Sequence, residues 1–154
     1  MKVYIGADHR GYKLKEKLKK FLQGKGYDVE DLGNLRYDQN DDYTDYARFV
    51  AETVAERGND TRGVLICGSG VGVEITANKF KNVRCGLVFN VKQAVLAKRH
   101  DDTNVIAIAS DFISAWKAKR IVKKWLETEF DGKENHKRRL DKIRTFESRW
   151  NIFR

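Results

Sequence analysis

Proline is absent from the 154 residues, cysteine occurs twice, methionine once and histidine three times. Two cysteines build neither a disulfide scaffold nor an all-cysteine zinc site, so reduced thiols in a cytoplasmic setting are expected. No apolar run approaches the roughly 20 residues of a membrane span. The opening Met1–Gly6 lacks the apolar core of a secretory signal, so neither membrane nor export is expected. Repeats, linkers and low-complexity stretches are missing as well. With 41% hydrophobic and 34% charged residues, the chain reads as one globular domain over 1–154 rather than a disordered segment.

What is in surplus is positive charge, +9 overall. Lys133–Arg154 carries eight Lys/Arg against three Asp/Glu, more than half of that excess. A basic tail of this kind suits nucleic acid, a solvated helix or a phosphate hook, and charge alone does not choose.

Short apolar runs recur along the chain: Val3–Ile5, Val29–Leu32, Val64–Cys67, Cys85–Phe89 and Val105–Ala109. Between them lie stripes at helical spacing. Leu14, Leu18, Phe21 and Leu22 form one, stopped by Gly24 and Gly26. Ala47, Val50, Ala51 and Val54 form a second, and Ala118, Ile121, Val122 and Trp125 a third. Leu140, Ile143 and Trp150 give a looser fourth in a basic helix expected at about 134–150. Strands alternating with helices predict right-handed crossovers: an α/β, Rossmann-like three-layer sandwich on a five-stranded parallel sheet. Ligands in such folds collect at the carboxyl ends of the strands.

Three polar clusters are expected there: Gly6-Ala7-Asp8-His9-Arg10-Gly11, Cys67-Gly68-Ser69-Gly70-Val71-Gly72, and Lys98-Arg99-His100-Asp101-Asp102-Thr103-Asn104. The glycine loop carries most information. Its alternate glycines free successive amides beside a helix start, an anion cradle. It is not a dinucleotide fingerprint, because Val73 stands where a third glycine is needed, and no Gly-Lys-Ser/Thr follows to make a Walker loop. A thiol at the mouth of such a loop is a candidate base or nucleophile with a lowered pKa. It reads equally well as a small hydrophobe ending a strand. Cys85, inside an apolar run, reads as core. A cysteine, a histidine and an anion cradle fit acyl transfer or a proton shift through an enediolate, and spacing does not separate them.

Taken in order, these stretches resemble the type B ribose-5-phosphate isomerases and the galactose-6-phosphate isomerase subunits. The likeness continues through Asp42-Tyr43-Thr44-Asp45-Tyr46-Ala47, Ala77-Asn78-Lys79, His100–Val105 and His136–Ile143. The resemblance implies an aldose–ketose isomerase without metal or cofactor, working through a cis-enediol. It makes Cys67 the base between C1 and C2. Gly68, Gly70, Val71 and Gly72, with Ser69, would hold the enediolate. His100 would open the sugar ring, Asp8 bind hydroxyls, Tyr43 line the pocket, His9 meet the phosphate, and Asp101 sit where the family has asparagine. Arg139 would reach the phosphate bound by a neighbouring subunit. Partners implied are a small sugar phosphate and a second copy, as homodimer or tetramer, with neither nucleic acid nor membrane. Relatives lacking the cysteine use a glutamate that aligns with Val73. Glu74 is one residue on, turned by about 100°, so the role stays with Cys67.

Departures bear on the substrate. The family's Gly-x-Arg after the fifth strand is Ala109-Ser110-Asp111 here. Its Arg-His-x-x-Arg is Asn135-His136-Lys137-Arg138-Arg139. Losing two cations and gaining two anions around one phosphate would cost several kcal/mol. Two outcomes are open. Asp111 is turned away or paired with a cation such as Arg139 or Arg99, with Lys137, Arg138, Lys98 or Arg99 compensating. Otherwise the substrate differs: another aldose, phosphorylated or not, or a ligand held with weak catalysis.

Overall fold

Strand β1 (Lys2–Ala7) is buried from Val3 onward, on both faces at once, as a parallel sheet covered by helices requires. The chain continues through α1 (Tyr12–Gly24), β2 (Asp28–Asp31), α2 (Tyr43–Arg57), a short 3₁₀ turn, β3 (Thr61–Cys67) and α3 (Val71–Ala77). It ends with β4 (Cys85–Leu87), α4 (Val91–Asp101), β5 (Val105–Ala109), α5 (Ala115–Leu126) and α6 (Glu134–Trp150). This computed structural model describes residues 1–150, and of Asn59 and Trp150 only the backbone. Residues 151–154 of the expected domain, and the Trp150 side chain of the fourth stripe, lie outside the described residues.

All four strand pairings are parallel, in the order β2-β1-β3-β5-β4. The chain leaves β1 toward one edge and β3 toward the other, so the direction of winding switches between these neighbours. A crevice opens at such a point. Alternate residues of β3 serve the two faces. Val64 and Ile66 pack with Leu14, Leu18, Ile121 and Trp125 from α1 and α5, while Leu65 and Cys67 pack with Val50, Val54 and Val73 from α2 and α3. Truncating Ile66 to alanine at this centre would cost about 2–5 kcal/mol. The expected five-stranded parallel α/β sandwich is what forms.

Two details differ from the sequence reading. Strand β4 stops at Leu87, because the Phe89 amide donates to Gln93 Oε1 and Asn90 caps the next helix by accepting from Gln93 N at 2.8 Å. That helix, α4, has no apolar stripe to announce it: only Ala94 and Lys98 are buried.

Candidate active site

The loops after β1, β3 and β5 meet at the carboxyl edge of the sheet. Gly11 brings the first against the third strand: a Cβ there would lie 2.4 Å from Ile66 O, so only glycine fits. Ser110 joins all three loops. Its amide donates to Cys67 O at 2.9 Å, and its hydroxyl lies 3.1 Å from both Arg10 O and Cys67 O. The Asp111 amide donates to Gly68 O at 3.1 Å.

Cys67 ends β3 at the floor of this crevice, and its Sγ accepts from Gly70 N at 3.1 Å. Burial raises the thiol above its ordinary value of 9.0, and the charge of Asp8 adds to this. The Val73 and Gly70 amides and the Ser69 hydroxyl pull the other way without winning. The lowered pKa expected from the loop is therefore corrected: desolvation outweighs the amides, and the resting group is a thiol. Gly70 takes the left-handed conformation, φ 78°, that turns the loop into α3. Ser69 and Val71 stand exposed, the Ser69 Oγ accepting from Val71 N at 3.3 Å. The Tyr43 ring covers Gly72 so closely that a Cβ would come within 2.6 Å of it. Glu74 is occupied elsewhere, its Oε1 accepting from Leu87 N at 2.9 Å, and Val73 is buried. Cys85 is buried core, its thiol pushed far upward by desolvation.

Asp8 is buried beside Cys67, its Oδ1 accepting from Gly11 N at 2.9 Å, and burial raises its pKa. His9 is held by Asp41. The carboxylate Oδ1 lies 2.7 Å from His9 Nδ1 and accepts from His9 N at 3.0 Å, while Oδ2 accepts from Asn34 Nδ2 at 2.7 Å. Sequence reasoning missed Asp41, one of several acids in the run Asp38–Asp45. It also missed Arg10, although Arg10 lies inside a motif already singled out. Arg10 packs over Gly68 and forms the ion pair with Asp111 that was expected from Arg139 or Arg99.

The third cluster lies elsewhere. His100 and Asp101 end α4, which returns the chain to the amino end of β5. Cys67 pairs in register with Ala109 at the other end of that strand. At about 3.3 Å per residue, β5 sets the two groups roughly 15 Å apart along the sheet. His100 is therefore not at the carboxyl edge of its own chain, because a crossover helix ends at the opposite edge from where it starts. There it stacks on His136, ring centroids 4.4 Å apart, while Asp131 N donates to Arg99 O at 3.0 Å. Asn135, Lys137, Arg138 and Arg139 follow on the first turns of α6, all exposed, with Lys137 bonded to Glu134 at 3.1 Å. Spacing along the chain offered no metal-ligand cluster. The fold nonetheless assembles one, since His100, Asp131 and His136 offer ligand atoms within 4.8 Å of one another.

The family model described as Ribose/Galactose Isomerase matches residues 3–143. The chain belongs to this family. Among ribose/galactose isomerase relatives, the probable ribose-5-phosphate isomerase B of Mycoplasma genitalium is 41% identical over 145 residues, covering 94% of this chain and 95% of that one. Ribose-5-phosphate isomerase B of Escherichia coli is 38% identical over 150 residues, covering 97% and 99%. The crystal structure of the Mycoplasma genitalium isomerase with bound ribulose-5-phosphate superposes with a TM-score of 0.92, at 41% identity, over 96% of each chain. Among the described residues, no helix is long and apolar enough to cross a membrane.

Proposed function

We propose that this chain is an aldose–ketose isomerase that interconverts ribose 5-phosphate and ribulose 5-phosphate, acting in the cytoplasm as a homodimer without metal or cofactor. The observation that carries the reaction is Cys67 Sγ, set 3.1 Å from the Gly70 amide on a floor shared with the Asp8 carboxyl. Kinship with an isomerase crystallised with ribulose-5-phosphate supports the substrate. Asp8 orients the sugar hydroxyls. The Cys67 thiolate removes the proton from C2 of the open-chain aldose. The electron pair moves into a C1–C2 double bond, and the negative charge gathers on O1 opposite the Gly68–Gly72 amides and Ser69. The resulting thiol returns the proton to C1, and the hydroxyl proton passes from O2 to O1. No atom is gained or lost.

The division of the site residues between the two sheet edges supports the dimer. One chain offers Asp8, His9, Tyr43 and Cys67 at one edge, and His100, Asp101 and Arg139 at the other. A second copy related by a two-fold axis would bring the tail edge of each to the loop edge of the other. His100 of the neighbour then donates the proton that opens the sugar ring, and Arg139 with Arg138 and Lys137 meets the phosphate beside His9. A groove of about 920 Å³ between β4, α4 and α6, lined by Leu87, Leu96, Ile143 and Phe146, offers such a copy an apolar seat.

An assay of ribose 5-phosphate to ribulose 5-phosphate beside a hexose 6-phosphate panel tests the reaction. Mixing Cys67→Ala with His100→Asn protein tests the dimer. Each variant alone keeps about a hundredth of wild-type turnover of ribose 5-phosphate. Random exchange of equal amounts restores about a quarter of wild-type activity, because half the dimers are mixed and hold one intact site. No recovery after proven exchange rejects the shared site. One observation favours a second reading. Asp111 stands where the family's phosphate arginine is expected, which suits a different aldose, and higher kcat/KM on a hexose 6-phosphate would establish it.

A further inference from the structure

Outside the carboxyl-edge crevice, two imidazoles and one carboxylate from separate parts of the chain come together. His100 comes from the last turn of α4, His136 from the first turn of α6, and Asp131 from the loop that joins α5 to α6. Asp131 Oδ1 lies 2.7 Å from His136 Nδ1 and accepts from Lys133 N at 3.2 Å. Its other oxygen, Oδ2, is buried and finds no hydrogen-bond donor among the described residues. Lys133 Nζ lies 3.9 Å from it, beyond hydrogen-bond reach. A buried charged oxygen without a donor is costly. The two rings stack at 4.4 Å with a 30° tilt, close enough for nitrogens of both to approach one point.

We propose that His100, Asp131 and His136 form a binding site for a divalent transition metal of the zinc class, and that filling it removes His100 from the isomerase reaction. The second clause rests on the role proposed for His100; the first does not. Imidazole and carboxylate donors suit Zn²⁺, Co²⁺ or Ni²⁺, whereas Mg²⁺ and Ca²⁺ prefer all-oxygen cages. Ligand atoms around tetrahedral zinc sit roughly 3.4 Å apart. The 4.8 Å span here must therefore contract by up to about 1.4 Å, which the half-exposed His100 ring can supply by rotation. Lys133 is 69% exposed and can swing away as the metal neutralises Asp131. Three protein ligands leave a fourth position for water. The bound ion would clamp the start of α6 to the end of α4 and occupy the nitrogen that ring opening needs.

The test uses untagged full-length protein and Co²⁺ as the probe. The expected result is one Co²⁺ per chain, with visible d–d bands of a four-coordinate ion that Zn²⁺ abolishes. Asp131→Asn and His136→Gln each weaken binding at least about tenfold. Cys67→Ser leaves the bands unchanged, which separates this site from the thiol. In activity assays Zn²⁺ inhibits the wild type and EDTA restores it. Asp131→Asn, whose metal-free turnover stays comparable to wild type, needs at least about ten times more Zn²⁺ for the same inhibition. Absent bands, bands lost in Cys67→Ser, or bands untouched in both Asp131→Asn and His136→Gln overturn the site. Metal bound with the expected ligand pattern but without inhibition upholds the site and overturns the second clause, and with it the role of His100.

Discussion

Arg10 and Asp111 are ion-paired across the mouth of the crevice, on loops 101 positions apart in the chain. Asp111 therefore neutralises a cation that stands over the glycine loop, where the proposed sugar phosphate would call for positive charge. Asp111→Ala should free the guanidinium and lower KM for ribose 5-phosphate, about tenfold for each 1.4 kcal/mol recovered. Arg10→Ala should raise KM, and the double variant should match Arg10→Ala alone. Asp111→Arg, which would restore the arginine of the family's Gly-x-Arg, instead sets two guanidiniums face to face. Unchanged KM in both single variants would show that the pair lies off the phosphate path.

Cys67→Ala should lower kcat at least about a hundredfold, the usual scale of general-base catalysis. Cys85→Ala should cost only stability, on the order of 1 kcal/mol. Because burial raises Cys67 above 9.0 and the reactive form is the thiolate, kcat/KM should climb with pH and still be climbing at that value. A plateau reached below neutrality would mean a preformed thiolate. Iodoacetate should inactivate the protein, with substrate protecting it.

Asp8 carries a stability cost for its role. Its pKa is raised by burial, so the protonated form is favoured by folding, and that contribution is lost as pH rises through the folded value. Above that value the ionised carboxylate opposes folding. Asp8→Asn keeps the acceptor for Gly11 N and should raise Tm by about 2–4 °C for each 1 kcal/mol regained. Sugar binding should weaken in the same protein. A lower Tm at neutral pH would contradict the sign.

His100→Asn should reduce turnover of cyclic ribose 5-phosphate by about a hundredfold. Ribulose 5-phosphate, which cannot close a furanose ring, should retain a larger share. Equal losses in the two directions would remove ring opening from the role of His100. Excess EDTA should leave wild-type turnover in place; loss restored by a divalent cation would overturn the metal-free scheme.

The sheet was legible because its strands are apolar on both faces and bounded by polar turns, as Val64–Cys67 and Val105–Ala109 illustrate. Helix α4 was not, since a surface helix that buries only Ala94 and Lys98 leaves no stripe. Cys67 stood out as a candidate from its place at a glycine loop, but the direction of its pKa needed the burial that only packing reveals. His100 stood out as a candidate but was expected at the wrong edge. Its neighbours in sequence show that a polar segment precedes a strand, not that a helix has carried it to the far edge. Arg10 and Asp41 were given no role because their partners lie 101 and 32 positions away, and Asp131 none because only packing sets it beside His136.

Ser110 has a consequence for how the site can change. By holding the backbones of Arg10 and Cys67 from one side chain and one amide, it makes three loops a single stiff floor. The ordering of that floor is complete when the chain folds, so little of the sugar's binding energy goes to immobilising it. A stiff floor also fixes where C1 and C2 must rest. In the proposed dimer, adaptation to a longer or differently phosphorylated sugar would fall to the exposed charges that the second copy's α6 brings to the floor, which can be exchanged without disturbing Cys67 or Asp8.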